Sequence, residues 1–170
     1  MSTLDLIAIE DATIARLAAI LRDPNAIPTR ALFNKVDTYR GEKDEVFFAI
    51  VRETAPACYL RLDRALNDSK EFIQATPLGQ SFSVGTTQDR VSLTWSFMTC
   101  AQSLRAPKEL THGGPGVIGA YDLLKALLTN LRGWAPVAAA EPFQFVGWEL
   151  LGQTTSAVVF DAHFKTRVQL

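Results

Sequence analysis

Residues able to do chemistry are sparse in this chain, and their densest grouping is His112-Gly113-Gly114-Pro115-Gly116, just ahead of an apolar stretch with helical spacing. Backbone amides at a helix start attract anions, so the stretch invites a phosphate- or oxyanion-binding reading. The surrounding residues do not support it. The Gly-Lys-Ser/Thr ending of a phosphate loop is missing, and no G-x-G-x-x-G follows a strand as a dinucleotide site needs. An oxyanion loop would require a G-x-S-x-G elbow elsewhere, and the chain has none. The simpler expectation is a sharply bent glycine-rich loop, with Pro115 near the helix start where its missing N–H costs little.

His112 and His163 are the only histidines, and Cys58 and Cys100 the only cysteines. Zinc wants three or four ligands at short spacings, which these four residues do not supply, so no metal and no cofactor is expected. His163 is expected on the polar face of the last strand, at the surface. Glu10-Asp11, Glu42 with Asp44 and Glu45, and the lone Asp161 read as solvated charges rather than acid/base pairs. No serine is marked out as a nucleophile, although triads assemble across distance. The chain therefore reads as a binding protein and not an enzyme.

The elements that would position these residues follow from hydrophobic spacing. Between Leu4 and Leu21 the residues Leu6, Ile9, Thr13 or Ile14, Leu17 and Ile20 or Leu21 recur at three- and four-residue steps, one face of a helix that Asp23-Pro24-Asn25 ends. An extended piece lies around Ala31 to Val36, followed by a polar turn from Tyr39 to Asp44. Glu45 to Glu53 is too densely apolar to assign to helix or strand, and Pro56 stops it either way. Cys58, Leu60 and Leu62 alternate with polar neighbours as in a half-buried strand. Asn67 to Lys70 reads as a turn and Phe72 to Gly79 as irregular.

The clearest signal starts at Arg90. Val91, Leu93, Trp95 and Phe97 face one way and Arg90, Ser92, Thr94 and Ser96 the other, which predicts an antiparallel strand with one wet face. Val117, Tyr121, Leu124, Leu127 or Leu128 and Leu131 mark a second amphipathic helix, closed by Gly133. The chain then makes a long β-hairpin, Phe143 to Gly152 and Val158 to Val168, turning at Gln153-Thr154-Thr155-Ser156. Trp95, Trp148 and Phe160 fall on expected inward faces, where core packing is the default. The fold expected is α+β: a twisted antiparallel sheet with two main helices packed on one face and a long C-terminal β-hairpin. Long strands leave long edges, which favours an oligomer.

A length of 170 residues suits one domain, 1–170, and 48% apolar with 21% charged residues is ordinary for a globular chain. A formal net charge of −1 gives no general pull toward nucleic acid or an anionic membrane, and the helices carry no basic stripe. No apolar run approaches the roughly 20 residues of a membrane span. Met1 to Ala15 carries Asp5, Glu10 and Asp11 and does not look like a signal peptide. A soluble cytosolic protein with two free thiols is the expectation.

The order of four features resembles the Mu-like phage family that includes the terminator of contractile tails. They are Ile9-Glu10-Asp11-Ala12 running into Ile14-Ala15-Arg16-Leu17, and the Tyr39-Arg40-Gly41 turn. Next comes Gly116-Val117-Ile118-Gly119-Ala120-Tyr121-Asp122-Leu123-Leu124 leading to Leu131-Arg132-Gly133. Last is the closing hairpin from Phe145 to Phe164. Together these span nearly the whole chain, apart from Glu45 to Gly79. The resemblance implies a structural virion protein assembled in the host cytoplasm, at the neck end of the tail. There a homohexameric ring would cap the tail tube and sheath and stop their polymerisation. It would also offer the joining surface to a head-tail connector. A neck or head-completion protein is the nearest alternative, and a small ligand-binding domain or enzyme using the His112 loop is the alternative of another class. Contacts with neighbouring copies or partners are expected at Arg40, Glu42, Lys43 and Asp44, at Arg105, Lys108 and His112, and at Thr154 on the hairpin tip.

Overall fold

The computed structural model describes residues 5–41, 45–67, 90–102, 111–114 and 117–169. Among these the elements run, in chain order, helix α1 (Leu6–Ala18), strand β1 (Lys35–Thr38), helix α2 (Glu45–Glu53), strands β2 (Ala57–Asn67) and β3 (Arg90–Gln102), helix α3 (Ala120–Leu131), and strands β4 (Gln144–Gln153) and β5 (Ala157–Gln169). They form a mixed α+β fold around one five-stranded sheet of order β1-β2-β3-β5-β4. Residues 68–89 and 103–110 lie outside the described residues, and with them most of the turn expected at Asn67 to Lys70, the piece from Phe72 to Gly79 and most of the loop before His112.

β3, the element with the cleanest alternation, sits at the centre and pairs antiparallel with β2 on one side and β5 on the other. β4 and β5 pair antiparallel, joined at the Thr154 turn. The expectation of a wholly antiparallel sheet fails at β1, which runs parallel to β2, Lys35 opposite Ala57 and Val36 opposite Cys58. The reason lies in Glu45 to Glu53, whose apolar density suits helix and strand alike. The segment is helix α2, and a helical crossover brings the chain back in the same direction, whereas a reversal needs only a tight turn. Phe47 and Val51, one helical turn apart, are buried, and Ile50 is exposed.

Helices α1 and α3 cover one face of the sheet, as expected. Their residues Ile9, Leu17, Leu123, Leu127 and Leu131 pack on Cys58, Leu60, Leu93, Trp95, Phe97, Phe160, Ala162 and Phe164. Asp5 begins α1 by accepting the Ala8 amide at 2.9 Å, satisfying one of the helix's free donors. Where the two helices meet, the Arg16 guanidinium donates to the Asn130 carbonyl at 2.6 Å and lies 4.7 Å above the Trp134 ring. It thus serves both the negative end of α3 and an aromatic face.

The other face is not wet, contrary to the reading of β3. Helix α2 covers part of it, packing Phe47 and Val51 on Ala57, Tyr59, Met98, Cys100 and Val159. Ser92 and Ser96, expected in water, are buried. Alternation distinguishes the two faces of a strand but does not say what lies above the more polar one.

Cys58 and Cys100 fall on opposite faces, both buried and free. Burial raises both thiols, with the Asp161 charge adding to the rise at Cys58. Cys100 is pushed up to about 12, Arg52 opposing part of the effect. A folded pKa above the unfolded one means stability that is whole below about pH 9 and is lost progressively as pH rises above it. The expected result is that neither thiol reacts with a soluble disulfide reagent in native protein at about pH 8, while both react in denaturant. Fast labelling of the native protein would contradict the burial.

Candidate functional site

The outermost strand departs most from what the sequence suggested. β4 is an edge strand, and Trp148 and Leu150 lie opposite Ala162 and Phe160, on the face that α1 and α3 cover elsewhere. The helices stop short of it. Ala120, Tyr121 and Leu124, from the first turns of α3, reach across to line a notch of about 220 Å³ with Trp148, Leu150, Val158 and Phe160. Trp148 and Leu150 therefore stay 46% and 54% exposed, and Val146, at an irregularity of the strand, is 61% exposed. The assignment of Trp148 to the core is corrected. Its ring meets Tyr121 and Phe160 edge-on, at 6.3 and 6.2 Å, with much of its surface in solvent.

Two irregularities interrupt this edge, between Phe145 and Gly147 and between Leu150 and Gly152. Such bulges break the run of backbone groups that another strand would pair with. The side-chain face, rather than the strand's hydrogen-bonding edge, is what remains available. A contiguous apolar surface on a folded chain marks a contact site.

The residues expected to make contacts divide between the two ends of the sheet. His112 is exposed and stacks edge-on against Tyr121 at 5.4 Å, extending the row Tyr121–Trp148–Phe160. Thr154 shapes the β4–β5 turn, its hydroxyl accepting from the Ala157 amide at 3.0 Å, and its neighbour Gln153 lines the same notch as Thr111, next to His112. Arg40 is at the opposite end, beyond β1, with an exposed side chain 3.3 Å from Glu10. Glu42, Lys43, Asp44, Arg105 and Lys108 lie outside the described residues. The two sheet edges also differ. β1 is four residues long and carries the exposed Lys35–Asp37 pair at 2.9 Å, a guarded edge.

The glycine-rich loop has a packing explanation. Gly113 has φ of +76°, and a Cβ there would fall 2.3 Å from the Asp122 carboxylate; one on Gly119 would fall 2.2 Å from the Gly113 amide. Only residues without side chains allow this approach. The letters Gly114-Pro115-Gly116-Val117-Ile118-Gly119 do form a G-x-G-x-x-G. However, α3 leads into the antiparallel β4–β5 pair rather than a parallel β-α-β unit. Asp122 accepts the Gly119 amide at 3.0 Å, so an anion at this helix start would meet a carboxylate.

On the sheet's second face, two expectations about polar residues are corrected. Asp161, read as a solvated charge, is fully buried and accepts the Ser96 hydroxyl at 2.5 Å. His163, read as a surface residue, is only 23% exposed and stands among three carboxylates. Each lies on interior strand β5, flanked by β3 and β4, which one-letter alternation does not reveal.

Compared with known protein families and with curated proteins, the chain matches none.

Proposed function

We propose that the chain is a structural subunit that closes into a ring, and that the ring is a tail terminator of the kind the order of its elements resembles. The observation carrying this reading is the apolar surface of β4 that the other described residues leave exposed, Trp148 and Leu150 beside Tyr121 with Val146 at the neighbouring irregularity. An apolar strand face left uncovered by its own helices is stabilised when another subunit covers it, at about 25 cal/mol for each Å² removed from water. A ring needs a heterologous joint, in which one surface meets a different surface of the next copy. The unlike sheet edges supply two such surfaces, the apolar β4 end with His112 and Thr154 and the polar β1 end with Arg40. A closed ring seated on the last layer of a tube ends polymerisation by occupying the growing end, with its free side toward the head.

The purified protein is expected to sediment as one discrete closed species, a hexamer on this reading, over a wide concentration range. A monomer of 18.7 kDa at all concentrations would contradict it.

A further inference from the structure

We propose that the second face of the sheet carries a divalent transition-metal site centred on His163, a feature independent of the ring reading and on the opposite face from the β4 patch. Strand pairing builds it. Arg61, Ser96, His163 and Gly147 form one cross-strand row, and Met98, Asp161 and Glu149 the next. The irregularity between Leu62 and Arg64 in β2 turns Asp63 toward the same place. Ligand atoms of Asp63, Asp161 and His163 converge within 4.8 Å of one another.

The distances leave room for an ion between the ring and the carboxylates beside it. His163 Nε2 is 3.6 Å from Asp161 Oδ2 and 3.6 Å from Glu149 Oε1. Both are too long for an N–H···O bond. Two ligands held about 2.1 Å from a tetrahedral ion stand about 3.4 Å apart, close to what is found here. On the other ring nitrogen, Nδ1 is 3.5 Å from Asp63 Oδ2. A carboxylate beside the second ring nitrogen is the usual companion of a metal-bound imidazole, and a small approach of Asp63 would make the bond. Asp161 is anchored from behind by Ser96, and Arg61 lies 3.4 Å from Asp63.

His163 Nε2 and Asp161 thus make the core of a nitrogen–oxygen set, with Glu149 within reach of the same ring nitrogen. Imidazole with carboxylates suits zinc or a neighbouring transition metal better than magnesium or calcium, which prefer oxygen alone. Gly147 stands opposite His163, and even a Cβ there would meet nothing within 4 Å, which leaves room for water beside the ring. The ion would tie edge strand β4, through Glu149, to the interior strand β5.

The test uses the full chain, stripped with a chelator and titrated with zinc by calorimetry and with cobalt by visible absorption. One equivalent of zinc is expected to bind, and cobalt to give the intense visible bands of a low-coordinate nitrogen–oxygen site. His163→Ala should weaken binding by about 100-fold or more. Glu149→Gln, at a side chain 61% exposed and so safe for folding, should weaken it about 10-fold or more. His112→Ala should bind as the parent does. Absence of stoichiometric binding would overturn the proposal, as would unchanged affinity in Glu149→Gln. Stabilisation by acid alone, without metal uptake, would also overturn it and make a protonated His163 the cation of the cluster.

Discussion

Changing Val146 and Leu150 together to glutamate is expected to leave the subunit folded and to abolish its assembly. Both side chains are more than half exposed, so neither substitution removes core packing. Exposed substitutions of this kind usually change subunit stability by a few tenths of a kcal/mol. In the proposed ring the same two positions would lie against a neighbour. There two carboxylates must be desolvated without partners, at a cost of about 4 kcal/mol per joint. That corresponds to about a thousandfold in subunit affinity. Sedimentation should show a monomer with the parent's circular dichroism. Trp148→Ala should act in the same direction and less strongly, because its ring also supports Tyr121 and Phe160. If the double variant assembled like the parent, the β4 face would not be the joint.

Phe97→Ala is expected to be the most damaging single core truncation. Phe97 is fully buried at the middle of the central strand, its ring edge-on to Phe164 at 5.2 Å and to Phe143 at 6.0 Å. Removing it leaves a cavity walled by the rings of Phe164 on β5 and Phe143 just before β4, which have little freedom to collapse. The expected loss is about 3–5 kcal/mol in chemical denaturation. For a chain of this size the thermal midpoint should fall by about 6–20 °C. Phe97→Leu, which keeps most of the volume, should cost well under half as much. A loss below about 1 kcal/mol for the alanine variant would mean that this aromatic cluster is not the centre of the core.

The central strand, both helices on the first face and the closing hairpin are legible in the sequence because each sets an apolar face against a more polar one, and that contrast imprints a period. The parallel strand β1 is not. Four residues are too few to carry a pattern, and their direction depends on α2, whose apolar density suits helix and strand alike. Trp148 is misread for a different reason. Its alternation with Glu149 shows which side of β4 is apolar, but only the reach of α3 decides whether that side is covered. Asp161 and His163 read as surface groups because their neighbours alternate normally. Their clustering with Asp63 and Glu149 depends on registers across three strands and on one irregularity in β2, which spacing along a single chain does not encode. Gly113 and Gly119 carry a readable signal, since glycines six apart before a helix suggest a close backbone approach.

The most direct test of the central claim is the length of tails assembled with and without this chain, measured by negative-stain electron microscopy. Without it, tails should vary in length, many running long, and heads should remain unattached. Supplying the parent chain should restore one length, and the Val146/Leu150 glutamate variant should not. Tails of normal length that fail to join heads would instead place the ring in the neck, and unchanged functional particles would contradict a role in the tail altogether.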